Sequence, residues 1–106
     1  MSVTQRRKGQ AGEREAHREL HQHLGDVVGK RELSQTRDGG PDLIINGIDL
    51  AVEVKRQERA SLQVWMDQAT NGHTHRMAAV MWRPNRGKWI VAMPIDDWCD
   101  LVREAL

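Results

Sequence analysis

Three side chains set the chemistry this chain can attempt: Asp42, which follows Pro41, and the pair Glu53 and Lys55, which begins eleven residues later. Between them Asn46-Gly47 separates two β-rich runs, residues 42–45 and 48–56. A two-residue Asn-Gly connection is the strongest short hairpin signal, because both residues tolerate the positive φ of a type I′ turn. Such a turn pairs Ile45 with Ile48, Ile44 with Asp49, Leu43 with Leu50 and Asp42 with Ala51. Asp42 then lies diagonal to Glu53, about 7–8 Å away on one face of the hairpin. Strand alternation carries Lys55 to that face too. Leu43, Leu50, Val52 and Val54 form a hydrophobic set on the other face, and small Ala51 leaves room beside Asp42 for an ion or a substrate. A hairpin with one solvated face alternates charge in the same way, so the strands alone leave both readings open.

Glu13 adds a fourth group. It precedes Ala16, Leu20 and Leu24 by three, seven and eleven residues and so shares their apolar helical stripe. A carboxylate pointing inward is costly unless it is paired or near a metal. A first-turn acid that favours the helix dipole accounts for an acid near the helix start, but not for its place on the stripe.

These groups suit one chemistry. Hard divalent ions such as Mg²⁺ take one or two carboxylates together with waters and phosphate oxygens. Asp42 and Glu53 would hold the ion with the Val54 carbonyl, and Glu13 would bind through water or serve a second metal position. The ion would polarise a phosphodiester and lower the pKa of a bound water, generating the nucleophile. Lys55 would orient that water or stabilise charge growing on the phosphoryl oxygens. No covalent protein intermediate is required.

The elements that must position these groups follow from periodicity and punctuation. Residues 9–24 read as a helix stopped by Gly25, and residues 27–33 as a strand. A polar, Gly-rich loop over residues 34–41 leads to the hairpin. Ser61 is placed to cap a helix to residue 71, with Leu62, Trp65, Met66 and Ala69 buried. Residues 77–82 and 89–93 are strands joined through Pro84-Asn85-Arg86-Gly87, and Pro94 leads into an amphipathic helix with Trp98, Leu101, Val102 and Ala105 inward. The order α-β-β-β-α-β-β-α predicts an α/β fold, a central mixed sheet flanked by helices. At 106 residues it is expected as a single domain over residues 9–106, preceded by a flexible basic arm over residues 1–8.

Composition narrows the class. Apolar residues at 39% and charged residues at 29% are ordinary for a globular chain, and no stretch approaches a membrane span. The basic, polar N-terminus has no apolar core of a secretory signal. A single cysteine, Cys99, excludes an internal disulfide framework and fits a reducing cytoplasm. The net charge is only +1, but residues 95–106 carry four acids against Arg103, a local −3, which leaves +4 for the remainder. Cations gather at Arg6, Arg7 and Lys8, at Lys30, Arg31 and Arg37, at Arg56 and Arg59, and at Arg83, Arg86 and Lys88. Mixed surface charge and a nucleic-acid surface are equally compatible with that distribution.

Pro41-Asp42 followed by Glu53-Val54-Lys55 in a hairpin resembles the PD-(D/E)xK nuclease superfamily. The opening Lys8-Gly9-Gln10-Ala11-Gly12-Glu13-Arg14-Glu15 is similar to the start of archaeal-type Holliday-junction resolvases within it, and the Pro-Ile-Asp-Asp-Trp start of the last helix looks like phage and bacterial versions. The resemblance covers residues 6–70 by motif and the rest by element order. It implies a restriction-endonuclease-like α-β-β-β-α-β core and Mg²⁺-dependent DNA cleavage (Mn²⁺ substituting), in the cytoplasm of a bacterial or phage-infected cell. It also implies active-site roles for Glu13, Asp42, Glu53 and Lys55, with a contribution from Gln68. DNA contacts are expected from Ser34, Thr36 and Arg37 in the loop and from Arg6, Arg7, Lys8, Arg56 and Arg59. Paired cuts across a four-way junction call for a symmetric homodimer. Alternatives are a nuclease acting on flaps, ends or nicked duplex, a DNA-binding module that does not cut, and an interaction domain unrelated to DNA.

Other residues carry blander expectations. His73-x-His75 reads as a basic loop or an exposed turn, with no carboxylate near it in sequence. His17, His21 and His23 are expected on the helix surface. Trp65 and Trp98 are expected in the core, whereas Trp82 and Trp89 flank a basic turn. Cys99 has no base positioned beside it and is expected to pack.

Overall fold

The computed structural model describes residues 3–30, 42–72 and 77–106, with the backbone alone at residues 3–8, 30 and 72. Helix α1 spans Val3–Leu24, and a single 3-10 turn at Gly25–Val27 leads to β1, Val28–Lys30. Strands β2, Leu43–Ile45, and β3, Leu50–Lys55, form the hairpin. Helix α2, Leu62–Gly72, connects β3 to β4, Met77–Trp82. Strand β5, Ile90–Ala92, and helix α3, Ile95–Ala105, complete the described order. Helix α1 begins six residues before the expected start, so residues 3–8 continue the helix instead of forming a separate arm. Gln5, Arg6, Arg7 and Lys8 are all good helix formers, and no proline interrupts them.

Among the described residues the strands make one sheet in the order β1-β2-β3-β4-β5. Its pairs are antiparallel except β3 with β4, which run parallel because α2 returns the chain between them. The fold is therefore α/β with a mixed sheet, as the sequence order requires.

Alternation along β3 divides the molecule into layers. Val52 and Val54 turn to the face covered by α1, where Ala16, Val28, Leu43, Ile45, Val52 and Met81 form a buried cluster with Leu20, Leu50 and Trp89 against it. Ala51, Glu53 and Lys55 turn to the other face, alongside Ala78, Val80 and Trp82 of β4. There α2 seats Trp65 and Ala69 on Ala78 and Val80.

The hairpin turn differs from expectation. It takes four residues, Asn46 to Asp49, and left-handed conformations occur at Gly47, φ 95°, and Asp49, φ 55°. Aspartate tolerates that region better than most side chains, and Asn46 is held by donating its N–H to the Val27 carbonyl at 2.8 Å. Leu43 consequently pairs with Val52, Ile44 with Ala51 and Ile45 with Leu50. The pairing is shifted by two residues from the expected one. A shift of two leaves every side chain on its original face, whereas a shift of one would have inverted them all.

Helix α3 also departs from expectation. It buries no residue, and Trp98, expected in the core, is 52% exposed, with Ile95 at 67%. The helix is amphipathic, but among the described residues no layer buries its apolar side.

Candidate active site on the β2–β3 hairpin

The four-residue turn tightens the arrangement of acids. Continued by one residue, the observed register sets Asp42 directly opposite Glu53 instead of diagonal to it, and directly opposed Cβ atoms in an antiparallel pair stand about 4.5–5.5 Å apart. Asp42 Oδ2 accepts a hydrogen bond from the Val54 N–H at 2.7 Å. The carboxylate thus takes the place of the next backbone acceptor where β2 ends, which fixes its orientation. In a strand the N–H and C=O of one residue project to the same flank, so the Val54 carbonyl points to the side on which Asp42 sits. Two half-buried carboxylates and one carbonyl therefore converge at the end of β2.

Lys55 lies two residues beyond Glu53 on the same face. Its Nζ is 6.0 Å from the centre of the Trp65 ring, within the range of a cation–π contact. Trp65 is in turn braced by Trp82, with ring centres 6.2 Å apart, and the Trp82 indole N–H donates to the Gln57 carbonyl at 2.7 Å. Both tryptophans thus belong to the support under Lys55. Trp82, which the sequence places beside a basic turn, is also part of this packing.

Glu13 is placed differently from the other three. It rides on α1, which covers the Val52 and Val54 face, whereas Glu53 and Lys55 point to the α2 face. Helix α1 comes closest to the strand at Gly12, where an added Cβ would lie 2.7 Å from Arg56 Cγ. Glu13 is therefore near the carboxyl end of β3 but in the other layer. Among the described residues no three His, Cys, Asp or Glu side chains form a group that can hold a metal ion. The oxygens that the hairpin would offer an ion are those of Asp42, Glu53 and the Val54 carbonyl, a set that would suit Mg²⁺, since Mg²⁺ completes its octahedron with waters and substrate oxygens and does not need an all-protein cage.

Arg56, expected to meet DNA, is instead built into the frame. Only 16% of its side chain is exposed, and it donates to the Arg83 carbonyl at 2.9 Å and approaches Glu15 Oε2 at 3.4 Å. Glu15 also pairs with the Arg83 guanidinium. Glu15, Arg56 and Arg83 thereby tie α1 to the ends of β3 and β4, and a guanidinium so engaged has little left to offer a phosphate. Nothing local in sequence announces this tie, since its partners are 41 and 68 residues apart.

The remaining expected residues divide simply. Gln68 is exposed on α2, and Arg59 is exposed on the loop after β3. Arg6, Arg7 and Lys8 lie on the first turns of α1. Ser34, Thr36 and Arg37 lie outside the described residues, as do His73 and His75. On α1, His17 and His21 stack at 6.1 Å, and His21 Nε2 lies 3.1 Å from Asp26 Oδ1. No family model, curated protein or solved structure matches this chain.

Proposed function

We propose that this chain is a divalent-metal-dependent endodeoxyribonuclease of the PD-(D/E)xK kind, with a restriction-endonuclease-like core, and that it acts on branched DNA as a junction resolvase. The observation that carries the reading is the meeting of Asp42 with Glu53 across the hairpin, with the Val54 carbonyl beside them and Lys55 on the same face. When bound, Mg²⁺ supplies Lewis-acid activation of the phosphodiester and of a water. Asp42 and Glu53 orient that ion, and the Val54 N–H keeps the Asp42 carboxylate from rotating. Lys55, steadied over Trp65, places its ammonium where negative charge grows on the phosphoryl oxygens. Glu13, on the neighbouring layer, acts through water at the rim of the site.

A homodimer is part of this proposal. Strand β5 is an edge strand with Ile90 and Val91 about half exposed, at 49% and 57%, and the apolar side of α3 follows it directly. Neighbouring exposed apolar side chains mark a surface for a partner, and a two-fold pair would present two sites to two strands.

A DNA-binding module that does not cut is the second reading. It draws on the place of Glu13 in the opposite layer, which leaves Asp42 and Glu53 as the pair at the end of β2. Cleavage of labelled DNA with Mg²⁺ or Mn²⁺, against chelator, separates the two: metal-dependent cutting by the unaltered chain supports the nuclease, and binding without cutting supports the module.

A further inference from the structure

A second surface lies on the α1 side of the sheet, reached from the hairpin site around the carboxyl end of β3. One residue past β3, Arg56 leaves the sheet for Glu15 and the Arg83 carbonyl. Glu15 and Arg83 form part of the wall of an open groove of about 920 Å³ between α1 and the connection from β4 to β5. Arg14, Arg18 and Lys88 also line it. All three are exposed, and among the described residues none makes a hydrogen bond or ion pair.

The acids in the groove cancel only part of this charge. Glu15 sits between the guanidiniums of Arg56 and Arg83, and the lining cations Arg14, Arg18, Arg83 and Lys88 outnumber the acids Glu15 and Glu19. Arg14, Arg18 and Gln22 recur every four residues, so they rise along α1 in steps of about 6 Å and share one stripe. The floor is firm. Trp89 packs against the buried Ala16 and Leu43 cluster, and Arg83 is fixed by donating its Nε–H to the Gly87 carbonyl at 2.7 Å. Two exposed arginines one helical turn apart, with the Gln22 amide next along the stripe and Lys88 on the adjoining connection, suit the repeated, singly charged phosphates of a nucleic-acid backbone. An acidic peptide presents its charges less regularly.

Resting on the nuclease reading, we propose that this groove holds the sugar-phosphate backbone of a nucleic-acid strand that runs on past the hairpin site. Arg14, Arg18 and Lys88 are its phosphate contacts, and Arg83 with Glu15 shapes its wall. The groove makes no base-edge contacts, so it adds affinity and direction to binding without sequence preference.

The test is equilibrium binding of a labelled short duplex and a labelled four-way junction in chelator, where no cutting intervenes. The full chain is compared with the triple variant Arg14→Gln, Arg18→Gln, Lys88→Gln. The triple variant is expected to bind at least tenfold more weakly at about 50 mM salt, with the slope of log K against log salt shallower by about 2–3. The variant Arg14→Lys, Arg18→Lys, which keeps the charges, is expected to bind as the unaltered chain does. Unchanged affinity and slope in the triple variant would overturn the groove and leave the nuclease reading standing. An acidic peptide that binds the unaltered chain but not the triple variant, with DNA affinity equal in both, would assign the groove to a protein partner and overturn the proposal. An unaltered chain that binds neither DNA even at low salt would overturn both readings together.

Discussion

At the scale of single residues, substitutions separate the groups proposed to act on a substrate from those that hold the fold. Asp42→Asn and Glu53→Gln are expected to abolish metal-dependent cutting while DNA binding is kept or strengthened, because each removes a negative charge that faces phosphate. A gel-shift assay run beside the cleavage assay checks both halves. Lys55→Ala is expected to slow cutting by at least about a hundredfold, as loss of a group aimed at developing charge does, with metal binding measured by titration calorimetry unchanged. Turnover at the normal rate would remove Lys55 from the mechanism. Arg56→Ala is expected to act on stability instead. Its loss leaves Glu15 and the Arg83 carbonyl short of a donor at a site where the arginine is only 16% exposed, which costs about 1–3 kcal/mol. Denaturant unfolding reads that cost. Weakened DNA binding at full stability would return Arg56 to the substrate.

At the scale of elements, the parity of the hairpin mattered more than its turn. The alternation of Leu43, Leu50, Val52 and Val54 against Asp42, Glu53 and Lys55 was legible in the sequence, because period-2 patterning reports directly which face is buried. The turn length was not. Asn-Gly is a strong local signal, yet Asp49 takes up a left-handed conformation and lets the turn extend to four residues, a choice settled by strand pairing and not by local preference. Helix α3 shows the complementary limit: amphipathic spacing reveals that a helix has an apolar side but not what covers it, so Trp98 was assigned to a core it does not enter. The layer of Glu13 was hidden for a similar reason, since its stripe names a buried face without saying which face of the sheet. Helix α1 offers a test of its docking. Glycine in a helix interior costs about 1 kcal/mol relative to alanine, but at Gly12 an added Cβ would lie 2.7 Å from Arg56 Cγ and 3.1 Å from its Cβ. Gly12→Ala is therefore expected to destabilise by up to about 2 kcal/mol net, since overpacking costs about 1–3 kcal/mol against a helical gain of about 1 kcal/mol. A raised melting temperature would show that α1 does not press on β3 there.

At the scale of the whole molecule, the proposed function calls for a second copy of the chain. Among the described residues Ile90 and Val91 of β5 and Ile95 and Trp98 of α3 leave neighbouring apolar side chains exposed, while Arg14 and Arg18 of α1 and Lys88 of the connection before β5 line one groove. Trp98→Glu is expected to abolish self-association, read by sedimentation or light scattering, while leaving the monomer folded, because the side chain is 52% exposed in the single chain. Loss of folding would instead place Trp98 in the core. No helix among the described residues is long and apolar enough to cross a membrane.

The measurement that bears most directly on the central claim is cleavage of labelled four-way junction, flap and linear duplex, with Mg²⁺ and with chelator, beside the Asp42→Asn protein. The account predicts metal-dependent cutting, symmetric on the junction and absent in the variant. Cutting spread evenly over all three substrates would keep the nuclease and remove the preference for junctions. Stable DNA binding with no cutting of any substrate by the unaltered chain would contradict the account.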